Sequence, residues 1–228
     1  MTKKPELPRP GFKIVKGRTA LVIVDPQVDF LSPKGTAWGV VGKNVTANNT
    51  VDNIGKLMKA SKENDMLLFI SPHYYYPHDH KWEFQGALEV AMHDLHMFDR
   101  EGQLSVKNFK GSGSDWMEQY KPYIEDEKTI VSNPHKIYGP ENNDLILQLR
   151  KRLIDSIILA GMSANLCIES HMREFIEQGF EVAVVKDATA AAQVEEADGY
   201  AAALINFRMI ASDVWTTEEA VKKINATG

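Results

Sequence analysis

Residues 156–167 read SIILAGMSANLC. Ile157 to Ala160 is a continuous apolar run, the pattern of a parallel strand covered on both faces. A small-residue turn follows, and Asn165 to Gln178 then has helical spacing. Cys167, the only cysteine in the chain, is therefore expected at the carboxyl end of a buried strand and in the first turn of a helix. Unpaired backbone N–H groups and the helix dipole favour an anion there, so the sulfur is a candidate nucleophile. The same position equally suits a small buried apolar side chain, the commonest role of a free cysteine, and does not decide between them alone.

Working outward, the pattern repeats. Ala20 to Val24 (ALVIV) is apolar and β-branched, and Asp25 follows it at once. Val51, Ile54, Leu57 and Met58 fall at helical spacing within 48–64, and 66–70 (MLLFI) reads as a second buried strand, completing a βαβ unit. Residues 72–127 break the rhythm with aromatics, histidines and glycines, although 85–96 has helical spacing; such a segment is expected to be a lid or an interface. Beyond it come a strand over 129–132, a helix over 143–152 and, after the opening stretch, a strand over 181–185 ended by Lys186 and Asp187. A helix over 196–206, a short strand over 208–211 and a closing helix over 217–224 finish the chain. Strands alternating with helices imply a three-layer α/β/α sandwich around a six-stranded, mostly parallel sheet.

The 228 residues, 43% of them hydrophobic, suffice for one domain spanning 1–228, with residues 1–17 as a proline-bearing arm. A formal charge of -5 without a basic cluster argues against nucleic-acid or membrane partners and leaves a small-molecule substrate. One cysteine excludes an intrachain disulfide, and MTKKPELPRPGFK lacks the apolar core of a signal peptide, so a cytoplasmic location is expected. No apolar stretch approaches the roughly 20 residues needed to span a bilayer, and no glycine-rich phosphate loop follows a strand.

Ligands of open α/β sheets bind beyond the carboxyl ends of the strands. Asp25, His73, the segment 134–138, Cys167 and Asp187 all follow expected strands and should share that rim. Asp25, partly desolvated at the end of an apolar strand, can accept the thiol proton, or it can simply cap the turn before Pro26. Lys136 can hold an anion, or it can be an ordinary surface lysine.

Taken together, VIVDPQVDF (22–30), the lysine loop NPHKIYGP (133–140), LAGMSANLCIES (159–170) and EVAVVKDATAA (181–191) resemble the isochorismatase-like cysteine hydrolases, over about Thr19 to Trp215. The resemblance implies their six-stranded fold and a triad of Asp25, Lys136 and Cys167. It also implies a cis peptide between Met162 and Ser163 that aims the Ser163 N–H, with the Cys167 N–H, at a developing oxyanion. Two features depart from the pattern. Many relatives place the lysine three residues before an aromatic, whereas Lys136 is two before Tyr138 and is followed by Gly139 and Pro140. The nicotinamide-hydrolysing branch holds a metal with Asp-x-His and a further His, whereas SPHYYYPHDHKW (71–82) offers His73, His78, Asp79 and His80 without that spacing. Neither a metal nor a cofactor is expected.

Gln27, Phe30, Trp38, His73, Tyr74, Tyr76, Trp82, Tyr138 and Asn165 are the expected substrate contacts, with core packing or lid scaffolding as their alternative. His171, one turn after Cys167, reads as a satisfied histidine between helix and sheet. The expected activity is hydrolysis of a small amide, carbamoyl or ureido C–N bond through a cysteine thioester. A vinyl-ether hydrolase of the isochorismate type and a non-catalytic binding protein on the same scaffold are the alternatives. By family analogy the protein is expected to be a homo-oligomer, a dimer or tetramer.

Overall fold

The first strand builds both halves of the core. In the computed structural model, which describes residues 7–227, β1 (Thr19–Val24) is buried along its whole length. Leu21 and Ile23 join one hydrophobic cluster, and Ala20, Val22 and Val24 join the other. This alternation is the two-residue period of an extended chain, and it is why β1 reads as an unbroken apolar run. Each Val, Leu or Ile side chain taken fully out of water contributes roughly 1.5–3 kcal/mol.

The chain continues through a short helix α1 (Val28–Leu31), then α2 (Trp38–Ala47), α3 (Thr50–Glu63) and β2 (Leu67–Ser71). A cap containing α4 (Ala87–Asp94) and α5 (Lys121–Ile124) leads to β3 (Ile130–Val131). After α6 (Leu145–Lys151) comes β4 (Ser156–Met162), then α7 (Glu169–Glu177), β5 (Glu181–Ala190), α8 (Gly199–Ile210), β6 (Asp213–Trp215) and α9 (Thr217–Asn225). The sheet is six-stranded in the order β3-β2-β1-β4-β5-β6, with every pairing parallel. Side chains of α2, α3 and α9 pack in the first cluster, and those of α6, α7 and α8 in the second, giving the three-layer α/β/α sandwich. Strand order reverses between β1 and β4, so the switch point at which such sheets bind ligands lies between the ends of these two strands.

Two element boundaries differ from the sequence reading. Residues 208–211 do not form the last strand: Asp198 caps α8 by accepting from the N–H groups of Tyr200 (2.9 Å) and Ala201 (3.1 Å), and the helix runs on to Ile210. A short apolar run fits either element, and the capped helix claims it. Strand β5 also passes through Lys186 and Asp187 to Ala190, with a register shift opposite 159–161. Asp187 accordingly leaves the rim and accepts from Thr217 N (2.7 Å) and Oγ1 (2.8 Å) at the start of α9.

Gly161 is required where β4 passes β1. Its φ is +119°, and a Cβ placed there would lie 2.0 Å from the Val24 carbonyl oxygen. Gly161→Ala therefore has to push apart the two strands that carry the site. We expect it to destabilise the fold by about 3 kcal/mol or more, read as a shift in the urea midpoint; an unchanged midpoint would contradict the close approach.

Segment 72–127 is an ordered cap stitched to the turn after β1. Val28 N donates to Asp115 O (2.9 Å), Asp29 N to Gly113 O (2.8 Å) and Met117 N to Pro26 O (3.2 Å). The buried carboxylate of Asp29 accepts from Thr36 Oγ1 (2.8 Å) and Phe98 N (2.7 Å). Of the arm, residues 1–6 lie outside the described residues; further along, the Arg208 guanidinium donates to the carbonyls of Leu7 and Pro8. Among the described residues no helix is long and apolar enough to cross a membrane.

Candidate active site

At the end of β1 the backbone of Asp25 turns into the left-handed region, with φ +49°. Its N–H still pairs with Ser71 O (3.0 Å), while its carboxylate, fully buried, is directed at the switch point. Beyond the ends of β2 and β3 the pairing resumes as a parallel bridge between His73 and His135, closed by His135 N donating to Pro72 O (3.0 Å). Beyond β4 the Met162–Ser163 peptide is cis, and a π-type turn over 164–168 delivers Cys167 before α7 begins. Ligating atoms of Asp25, His73, His135 and Cys167 all lie within 4.8 Å of one another, and all four residues are buried.

Within this group His135 Nε2–H donates to Asp25 Oδ1 (2.8 Å). Asp25 Oδ2, His135 Nδ1 and both ring nitrogens of His73 have no partner among the described residues. Burial and the facing Asp25 carboxylate push the Cys167 thiol well above its ordinary range, while the N–H groups of Ser163 and Cys167, directed at the sulfur, pull it back. The resting thiol is therefore protonated at neutral pH. Thiolate is the alkylating species, and a raised thiol pKa removes it as pH falls. The rate of iodoacetamide labelling of Cys167 should thus climb about tenfold per pH unit through pH 9 without levelling off. A plateau already reached near pH 7 would show a stabilised thiolate instead.

Burial, followed by the nearby His135 and Lys136, holds His73 well below the ordinary histidine range, so its ring is neutral. It stacks on Phe98 at 4.9 Å and meets Tyr75 edge-on at 4.6 Å. Its backbone is gripped by Gln27, whose Oε1 accepts from His73 N (2.9 Å) and whose Nε2 donates to His73 O (2.8 Å) and Ser114 O (3.0 Å). His171 is satisfied between helix and sheet: Nδ1–H donates to Cys167 O (2.7 Å), and Nε2 accepts from Ser71 Oγ (2.8 Å).

Lys136 does not join Asp25 and Cys167. Its Nζ donates to Asp79 Oδ2 and to Tyr74 O (2.8 Å) and lies 3.8 Å from the centre of the Tyr76 ring. The reason is the two-residue period of an extended segment: His135 and Lys136 are consecutive and face opposite ways, and the bridge to His73 turns His135 inward. The spacing clue was present in the sequence, because His135, not Lys136, stands three residues before Tyr138.

The other expected contacts divide. Tyr138 and Asn165 are half-buried: burial, then Glu89, then Cys167 push the Tyr138 hydroxyl upward, and the Asn165 amide accepts from Ser163 Oγ at 3.5 Å. Gln27 has both ends of its amide committed to backbone, so it positions His73 and is not free to contact substrate. Phe30 packs on Phe98 (5.1 Å), Trp38 packs against the core, and Trp82 packs on Tyr75 (5.8 Å). Tyr74 lies under Arg100 (4.8 Å), and Tyr76 lies under Lys136. Besides His135, the sequence reading leaves out Tyr75, fully buried, with a hydroxyl that lacks a partner among the described residues. Burial, then Glu89, then Cys167 push that hydroxyl upward. In a run of three tyrosines no pattern distinguishes the inward one.

His73, His78, Asp79 and His80 do not converge on one point. Asp79 pairs with Lys136, His78 is exposed beside it (3.4 Å), and His80 turns to Asp99 (2.7 Å) with His96 (2.8 Å). The Asp-x-His metal set of the nicotinamide-hydrolysing branch is therefore not reproduced by this stretch.

Residues 19–219 match the Isochorismatase domain family. The chain belongs to this family. Among its relatives, RutB of Pseudomonas savastanoi pv. phaseolicola, a ureidoacrylate amidohydrolase, is 28% identical over 182 residues, covering 76% of this chain and 71% of RutB. YecD of Escherichia coli O157:H7, an uncharacterized isochorismatase family protein, is 47% identical over 53 residues, and this match spans only 28% of YecD. The crystal structure of a cysteine hydrolase from Pseudomonas syringae pv. phaseolicola 1448A superposes with a TM-score of 0.78 over 100% of both chains at 22% identity. Family membership accounts for the six-stranded parallel sheet, and the chain departs from the expected triad by carrying a histidine against Asp25.

Proposed function

We propose that the protein is a cysteine hydrolase that cleaves a C–N bond in a small amide, carbamoyl or ureido compound, with Asp25, His135 and Cys167 as its reacting group. The observation that carries this reading is the convergence of a thiol, a carboxylate held by an imidazole, and two N–H groups at one switch point. Cys167 passes its proton to Asp25, and the thiolate attacks the carbonyl carbon. The oxyanion is received by the N–H groups of Ser163 and Cys167, donors whose individual loss typically costs on the order of 100-fold or more. The C–N bond breaks as Asp25 returns the proton to the departing nitrogen, leaving a thioester. Water, deprotonated by Asp25, releases the acid and restores the thiol. Throughout, the His135 N–H fixes Asp25 Oδ1, leaving Oδ2 to trade protons with the sulfur. RutB's activity on a ureido compound supports this substrate class.

Cys167 is only 3% exposed, which keeps bulk water from the sulfur. Tyr75, Tyr138 and Asn165 offer a hydroxyl, a ring and an amide to a small planar molecule. A screen of small amides, carbamoyl compounds and ureido acids, read by ammonia release against the Cys167→Ala protein, tests the reading. Release that equals the Cys167→Ala background on every compound would remove it.

A further inference from the structure

Two groups of side chains could hold a metal ion, and they differ in one respect. His80, His96 and Asp99 are partly exposed and already satisfy one another through hydrogen bonds of 2.7 and 2.8 Å. Asp25, His73, His135 and Cys167 are buried, and four of their ring and carboxylate atoms lack any partner among the described residues. Buried polar atoms without partners call for a ligand, and this set, one thiol, two imidazoles and one carboxylate, is the donor set of tetrahedral zinc.

We infer that the site takes one soft divalent cation, zinc in particular, on Cys167 Sγ, His73, His135 and an Asp25 oxygen, and that the bound ion holds the hydrolase in an inactive state. The inference rests on the reading above only for its consequence, because the ion occupies the nucleophile and the base together. Donors around zinc at about 2.0–2.3 Å lie roughly 3.3–3.8 Å apart, so a group already within 4.8 Å needs only small side-chain rotations to close on it. Binding replaces the thiol proton, which leaves to solvent, and the sulfur binds as thiolate without any redox change. The Asp25 oxygen without a partner and a His73 nitrogen are available as they stand; His135 joins by giving up its hydrogen bond to Asp25, its Nε2 proton passing to the unpartnered Nδ1 so that Nε2 presents a lone pair to the ion. Gln27 clamps the His73 backbone, and Phe98 stacks on its ring, so the ligand comes already oriented. The metal set of the nicotinamide-hydrolysing branch does not include the nucleophile. Here the nucleophile is itself a ligand.

The test uses full-length protein purified without a histidine tag, stripped of metal and dialysed against zinc, with metal counted per chain. We expect one zinc per chain and, with one equivalent bound, alkylation of Cys167 slowed at least tenfold and restored by chelator. His73→Phe, which keeps a flat ring on Phe98, and Cys167→Ala should each weaken binding about 100-fold or more, with far-UV circular dichroism unchanged. Binding that survives both substitutions but is lost in His96→Ala would move the ion to the cap and overturn the inference, as would an absence of stoichiometric zinc. Zinc held on Cys167 in a protein that, once stripped of the ion, still hydrolyses nothing in the amide screen would leave the metal site standing and remove the reading above. Hydrolysis without zinc binding would do the reverse.

Discussion

Replacing Cys167 with alanine should lower turnover of a true substrate by at least about 10⁴-fold and leave the fold intact. The first half follows from covalent chemistry: without the sulfur no thioester forms, and removing the nucleophile of such a unit costs about as much as removing the whole unit. The second half follows from packing. Cys167 lies in the second hydrophobic cluster beside Ile168 and Met172, and alanine removes only one sulfur atom from a site that polar groups surround. The loss of stability should stay near 1 kcal/mol, the small end of core truncation. Rapid acid quench of the wild-type enzyme during turnover should reveal a covalent mass increment on the peptide containing Cys167. Residual turnover within tenfold of wild type, with the same thermal midpoint, would abolish the thioester route.

The layout of the sheet was legible because its evidence is local. Runs such as Ala20 to Val24 and Ile157 to Ala160 are apolar on both faces only if both faces are covered, which implies helices above and below and fixes where Asp25 and Cys167 emerge. The rest depended on which way a side chain turns, and that is decided by partners distant in sequence. His135 faces Asp25 because its backbone pairs with residues 72 and 73, far earlier in the chain. Tyr75 is the buried tyrosine of its run because its backbone pairs with residues 98–100 of the cap. The end of β5 was misread for a similar reason: Lys186 and Asp187 look like a terminus, but the register shift opposite β4 carries the strand past them. Polar residues mark strand ends only where no neighbouring strand continues the pairing.

His135 and Lys136 provide the sharper test of the site, since exchanging their roles exchanges the mechanism. His135→Gln should cut kcat by about 10²–10⁴-fold, because the Asp25 carboxylate, with no exposed surface, loses the one side-chain donor it has among the described residues and the geometry that presents Oδ2 to the sulfur. Some stability should be lost as well, about 1–3 kcal/mol for a buried acceptor left poorly paired. Lys136→Met, which keeps the aliphatic stem over Tyr76, removes an ion pair with Asp79 that anchors the cap. Its effect should fall mainly on KM, with kcat held within about tenfold, because Nζ binds Asp79 and Tyr74 O and not the reacting atoms. His135→Lys provides the rescue arm: a cation at the inward position can still donate to Asp25 and should recover part of what His135→Gln loses, with a changed pH profile. If Lys136→Met instead abolished kcat while His135→Gln remained active, the lysine would have to swing inward on substrate binding, and Asp25 would find its partner only in the working enzyme.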